Sequence, residues 1–174
     1  MSKSPKRERY SDSSPYPEIK VIGPNIQYAE LLMDAYAGTV SEFTAISQYL
    51  YHSFFFKNIN KELGSLLENV AITEMHHMEI LATLIIKLGG NPVIRGSYST
   101  KGTCWTGNFV FYGTNVCEQL QADLVAEQKA IADYKRLISL ISDPYVQSIL
   151  RRIILDEIVH TKLFEQALSK YCGR

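Results

Sequence analysis

The sequence predicts an all-α fold, an antiparallel bundle of four helices arranged as two helical hairpins joined by a long crossover, and three observations carry that prediction. Apolar residues recur at helical spacing through four long segments. Short polar turns separate the first segment from the second and the third from the fourth, whereas residues 89–114 form a long glycine-containing stretch between the second and third. Two helical sequence patterns also appear once in each half of the chain, in the same order.

The first helix is expected over roughly 25–57, where Leu31, Ala35, Ala45, Ile46, Tyr49 and Phe56 share one face. "KNIN" makes a turn, Asn60 caps the second helix, and "LGGNP" at 88–92 closes it, giving about 61–88. The stretch 89–114 carries six glycines, one proline and an aromatic patch without helical period, so it reads as a connection, with Trp105 and Tyr112 expected to pin it to the bundle. Asn115 and Glu118 form an N-x-x-E capping box for a third helix that runs to about Ile141. "SDPYV" supplies an Asp cap and a proline at the first helical position for the fourth, about 144–170. The domain division expected is a flexible polar tail over 1–20 and a single bundle over 21–174.

Composition narrows the partners. The 174 residues are 46% hydrophobic and 21% charged, with 18 basic and 18 acidic side chains, so no net field draws in nucleic acid or an anionic membrane. The N-terminal residues lack the apolar core of a signal peptide and no later run approaches a membrane span, which predicts a soluble cytoplasmic protein. Cys104, Cys117 and Cys172 are odd in number and show no C-x-x-C pairing, so they are expected to be reduced thiols.

The repeated patterns carry the chemistry. "EFTAISQY" (42–49) and "EQKAIADY" (127–134) share E-x-x-A-I-x-x-Y, while "EMHH" (74–77) and "EIVH" (157–160) each hold Glu-x-x-His. Glu42 precedes Glu74 by 32 residues and Glu127 precedes Glu157 by 30, as expected of one hairpin used twice. Residues three apart share a helix face, so His77 rather than His76 lies with Glu74, and His160 lies with Glu157. Their stripes are apolar, placing Glu42, Glu74, His77, Glu127, Glu157 and His160 on the bundle axis. Burying four carboxylates there costs several kcal/mol per ionised group, and no interior Lys or Arg is expected to offset it. Two divalent cations match four carboxylates and two neutral imidazoles in charge, and one Glu from each of two helices with a Glu-x-x-His from each of the others is a known di-metal arrangement. Tyr49 and Tyr134 are expected to bond buried carboxylates, and are candidates for a catalytic part in proton or electron transfer. His76 is expected to face outward, His52 to pack at a helix end, and Asp123 and Asp133 to be exposed or capping, with Asp123 in reach of the groups surrounding the centre.

With these motifs in place, and "YPEIKVIGPNIQYAELLMDAYAG" before them, residues 17–170 resemble the ferritin-like superfamily, and within it the manganese catalases and their short spore-coat-associated relatives. The resemblance implies a ferritin-like four-helix bundle with the six residues as ligands of two Mn or two Fe ions. It further makes Glu74 and Glu127 candidates to touch both metals, leaves open whether Glu157 ligates directly or from just outside, and implies that the chain forms a homo-oligomer. The implied substrate is hydrogen peroxide or dioxygen, with peroxide disproportionation expected; iron oxidation and storage, or a structural coat role with a stabilising metal site, are the alternatives. The chain departs from the full-length catalases in ending soon after the fourth helix and in a shorter crossover. It also carries Ala126 where they have an arginine beside the site. Rubrerythrins share the Glu-x-x-His pairs, but here Ala130 replaces their additional carboxylate.

Overall fold

A computed structural model describes residues 10–173. Five helices follow one another: α1 (Ile26–Ala37), α2 (Glu42–Lys57), α3 (Lys61–Lys87), α4 (Val116–Leu140) and α5 (Pro144–Cys172). The caps expected at Asn60, Asn115 and Asp143 are present and Asn25 caps α1, each side chain accepting main-chain N–H groups that have no intrahelical partner. α2 packs against α3 and α4 against α5 as two hairpins, and the long crossover between α3 and α4 makes the ferritin-like connectivity.

The first predicted helix is broken at residues 38–41, a correction to the single helix expected over 25–57. Gly38 leaves the helix in an extended conformation, and a Cβ there would lie 2.6 Å from the Asp34 carbonyl oxygen. The freed Gly38 carbonyl accepts from the hydroxyls of Ser41 (2.8 Å) and Thr44 (3.0 Å), while Ser41 Oγ accepts the Thr44 N–H as the cap of α2. Local hydroxyls thus offset the lost helical bonds, and Glu42 becomes the first residue of a new helix.

Two apolar clusters fill the bundle. One gathers Leu81, Leu84 and Ile85 with Leu137, Ile149 and Ile153; the other gathers Tyr49, Leu63 and Leu67 with Leu120, Phe164 and Leu168. Along α3 and α5 the two Glu-x-x-His motifs lie between them. The crossover is pinned as expected: Trp105 Nε1 donates to Thr44 Oγ1 (3.0 Å) and stacks edge-on against Phe43, and Tyr112 packs on Tyr51.

Residues 10–20 differ from the flexible tail expected over 1–20; residues 1–9 lie outside the described residues. Arg152 donates from Nε to the Ser14 carbonyl (2.8 Å) and from Nη2 to the Asp12 carbonyl (2.9 Å), and Tyr16, Ile19 and Val21 pack on the core. The polar composition that suggested a loose tail is matched by buried polar partners on α5. Among the described residues no helix is long and apolar enough to cross a membrane.

Cys117 and Cys172 form a disulfide, correcting the expectation of three reduced thiols, and Cys104 remains a free, exposed thiol. The bonded pair stands at the start of α4 and the end of α5, which an antiparallel hairpin brings together across a sequence separation of 55. Closing a loop of that length removes about 4 kcal/mol of chain entropy from the unfolded state. Urea unfolding with and without reductant should therefore differ by roughly that amount, and Cys117→Ser should reproduce the reduced curve.

Candidate metal centre

Each of the four bundle helices contributes to one buried cluster: Glu42 from α2, Glu74 and His77 from α3, Glu127 from α4, Glu157 and His160 from α5. Their ligating atoms fall into two groups, Glu42, Glu74, His77 and Glu157, and Glu74, Glu127, Glu157 and His160, each with all atoms within 4.8 Å of one another. His77 Nδ1 lies 2.7 Å from Glu74 Oε2, 3.3 Å from Glu157 Oε1 and 3.7 Å from Glu42 Oε2. His160 Nδ1 lies 2.8 Å from Glu74 Oε1, 3.2 Å from Glu157 Oε2 and 3.6 Å from Glu127 Oε2. Glu74 and Glu157 therefore turn one oxygen to each imidazole, whereas Glu42 and Glu127 each serve one.

The resemblance puts forward Glu74 and Glu127 as candidates to touch both metals; toward the imidazoles it is Glu74 and Glu157 that are shared. The reason is the hairpin symmetry. The two Glu-x-x-His helices face each other across the axis, so both of their glutamates reach both histidines. The other two glutamates come from the flanking helices and are held back by tyrosines. Tyr49 donates to Glu127 Oε1 (2.5 Å) and Tyr134 donates to Glu42 Oε1, so each tyrosine bonds the glutamate of the other half.

The donor set fits divalent cations. Glu74 Oε1 and Glu157 Oε1 are buried without a hydrogen-bond partner, since the nearby His Nδ1 atoms are close but not aligned to donate. Buried carboxylate oxygens in that state call for positive charge. Without cations, protons serve instead. Burial raises Glu42 and Glu127, and the neighbouring charges of Glu74 and Glu157 raise them further, so both favour the neutral acid. Burial alone would lower His77 and His160, but the carboxylates facing each ring, Glu74 foremost, together outweigh it and hold both well above the ordinary histidine range. Burial likewise opposes ionisation of Glu74 and Glu157, yet the two imidazolium charges keep both low. Two imidazolium ions with two carboxylates leave the metal-free interior neutral.

Around the six residues lie groups the sequence reading missed. Asp156, one residue before Glu157, accepts from His77 Nε2 at 3.0 Å and is held by Arg152 Nη1 (2.7 Å) and the hydroxyl of Tyr16. His160 Nε2 donates to the Tyr10 carbonyl at 2.9 Å. Both Nε2 atoms thus face acceptors, leaving each Nδ1 turned to the carboxylates. The signal in the sequence was the Arg152/Asp156 pair at i, i+4 within an apolar stripe. His76 faces away, edge-on against Tyr16.

Asp123 is buried rather than exposed. It accepts from His52 Nδ1 (2.9 Å) and Gln48 Nε2 (2.8 Å), while His52 Nε2 meets the Phe111 carbonyl at 2.9 Å and Gln48 Oε1 accepts the Phe111 N–H at 3.0 Å. His52 is therefore buried in a polar clamp on the crossover. That clamp sets one wall of a cavity of about 280 Å³ which reaches Glu42, Glu74, Glu127 and Glu157. Its other walls are the α1–α2 break at Thr39 and Val40, and the small side chains Ala126 and Ala130 of α4, with Asp133 at the side.

The chain is similar to known proteins over most of its length. The ferritin-like domain family matches residues 39–171. A probable manganese catalase of Clostridium acetobutylicum is 29% identical over 171 residues, covering 88% of this chain and 75% of the relative. Protein CotJC of Bacillus subtilis is 28% identical, with 92% of each chain covered. The crystal structure of KatB, a manganese catalase from Anabaena PCC7120, superposes with a TM-score of 0.84 at 26% identity, over 95% of this chain and 81% of KatB.

Exchanging the proton-filled cluster for two divalent cations exchanges four protons, one from each of His77, His160, Glu42 and Glu127, because the loaded site needs neutral imidazoles and ionised carboxylates. Sign follows directly: groups whose pKa values are raised hold protons that compete with metal, so affinity climbs as pH rises. Calorimetric titration of metal-free protein with Mn(II) in buffers of different ionisation enthalpy should show about four protons released per two ions near neutral pH. Release of one or none would mean that these four groups do not carry the protons.

Proposed function

The chain belongs to the ferritin-like family, and from that premise we propose that its buried cluster holds two manganese or two iron ions and disproportionates hydrogen peroxide to dioxygen and water. The observation that carries this reading is the sharing of Glu74 and Glu157 between two Glu/His groups at the foot of a small cavity. Relatives named as manganese catalases support the choice of substrate.

Bound as a pair, such ions supply the two-electron oxidation of one peroxide molecule and the two-electron reduction of a second. The chain's residues then have two protons to manage, those lost by the peroxide that becomes dioxygen and needed by the peroxide that becomes water. Tyr49 and Tyr134, hydrogen-bonded to Glu127 and Glu42, are placed to pass them. Tyr134 and Tyr49 fix those two carboxylates through Oε1, leaving Oε2 toward the histidines, and burial first and the facing carboxylate second keep both phenols protonated. No external reductant is consumed. The cavity of about 280 Å³, walled by Phe109 and Phe111, suits a substrate the size of peroxide.

Protein loaded with two Mn per chain should evolve oxygen from peroxide, measured with an oxygen electrode beside elemental analysis. Tyr49→Phe with Tyr134→Phe should lower turnover by about 10²-fold or more while metal content stays at two. Metal bound without oxygen evolution would favour a stabilising role in the bundle. An Fe(II)-dependent mineral would favour iron storage.

A further inference from the structure

The two halves of the repeat treat their histidines differently. In the second half, the residue before the motif glutamate is Asp156, and its carboxylate reaches across to His77 Nε2 at 3.0 Å. In the first half the corresponding residue is Thr73, whose hydroxyl donates at 3.4 Å to the Tyr10 carbonyl and to the Asn69 carbonyl. The Tyr10 carbonyl also accepts from His160 Nε2 at 2.9 Å. It therefore sits between Thr73 and His160, in the place where the symmetry of the repeat would put a carboxylate.

We propose that the N-terminal segment 10–16 is a positioning element for the His160 half of the centre, supplying the outer acceptor that Thr73 does not. This rests on the reading of the six buried residues as ligands of two metal ions. Arg152 is the clamp on the segment: its guanidinium bonds the Ser14 and Asp12 carbonyls, lies 4.1 Å from the Tyr16 ring centroid, and also bonds Asp156. The Asp12 N–H donates to Asp156 Oδ1 at 2.6 Å. His77 is thus backed by a charged acceptor belonging to the bundle, and His160 by a neutral one belonging to a segment tied on from outside. A carboxylate polarises the ring more than a carbonyl does and makes Nδ1 the better donor, so the His77 half takes its ion first. Loss of such an outer partner lowers metal affinity by about 10–100-fold.

The test is a titration of the full-length, metal-free chain with Mn(II), following the paramagnetic resonance of the free aqueous ion. Two ions should bind in two resolved steps. Arg152→Leu, which frees the segment, should weaken the second step by about 10–100-fold and the first step less. Thr73→Asp added to the same chain should restore the second step by placing a carboxylate at the position equivalent to Asp156, a rescue that a general loss of packing would not show. Should Arg152→Leu fail to fold, Thr73→Asp alone should strengthen the second step and Asp156→Asn should weaken the first. Two ions bound equally tightly in the intact chain, or a second step indifferent to Arg152→Leu and to Thr73→Asp, would overturn the positioning role and leave the proposed function standing. An intact chain that takes up no Mn(II) would instead remove the metal reading on which it rests.

Discussion

Burying Glu42, Glu74, Glu127 and Glu157 together costs several kcal/mol for each one that is ionised, and the rest of the bundle is organised around offsetting that cost. Among the described residues, the only cationic groups that face the cluster are the two imidazoles, which sit on the same helices as Glu74 and Glu157 and one turn further on. Arg152 is buried as well, but its charge is committed to Asp156 and to the main chain of residues 12 and 14. The cluster is neutral with four added protons or with two divalent ions. One divalent ion with two retained protons is neutral as well, so each cation taken up displaces two protons in this interior.

The same constraint explains why the core is divided. Apolar clusters at either end seal the carboxylates from water along the axis, so access has to come from the side. The α1–α2 break opens that side by removing helical backbone at residues 38–41, and Ala126 and Ala130 keep the facing surface of α4 low. Opposite them the crossover would be free to collapse into the gap. The buried Gln48, His52 and Asp123 hold it by both the N–H and the carbonyl of Phe111, fixing the wall at a defined height.

Much of this was legible because helical periodicity converts spacing into direction. Glu-x-x-His on an apolar stripe can point only inward, and its repetition with E-x-x-A-I-x-x-Y located all four helices and their order. What escaped had no period to reveal it. The break at Gly38 depends on two hydroxyls meeting one carbonyl, the Cys117–Cys172 bond on hairpin ends meeting across 55 residues, and the order of residues 10–20 on partners more than a hundred positions away. The burial of Asp123, expected to be exposed or capping within reach of the centre's surroundings, escaped because its partners, Gln48 and His52, lie 75 and 71 positions earlier on another helix. Which carboxylates are shared was not legible for a different reason: sequence spacing gives the face of each helix but not the depth to which each side chain reaches.

Where the repeat is kept and where it is broken separates two kinds of requirement. The chemistry-bearing positions are kept, down to the reciprocal bonds by which Tyr49 serves Glu127 and Tyr134 serves Glu42, so the two Glu/His groups are built alike. The surroundings are not kept. Only the first half has a broken helix, and only the second has an aspartate behind its partner's histidine, so the cavity and the N-terminal segment lie on different sides of the centre. An asymmetric shell around a symmetric set of side chains gives each Glu/His group a different environment, which a perfectly duplicated hairpin would be unable to do.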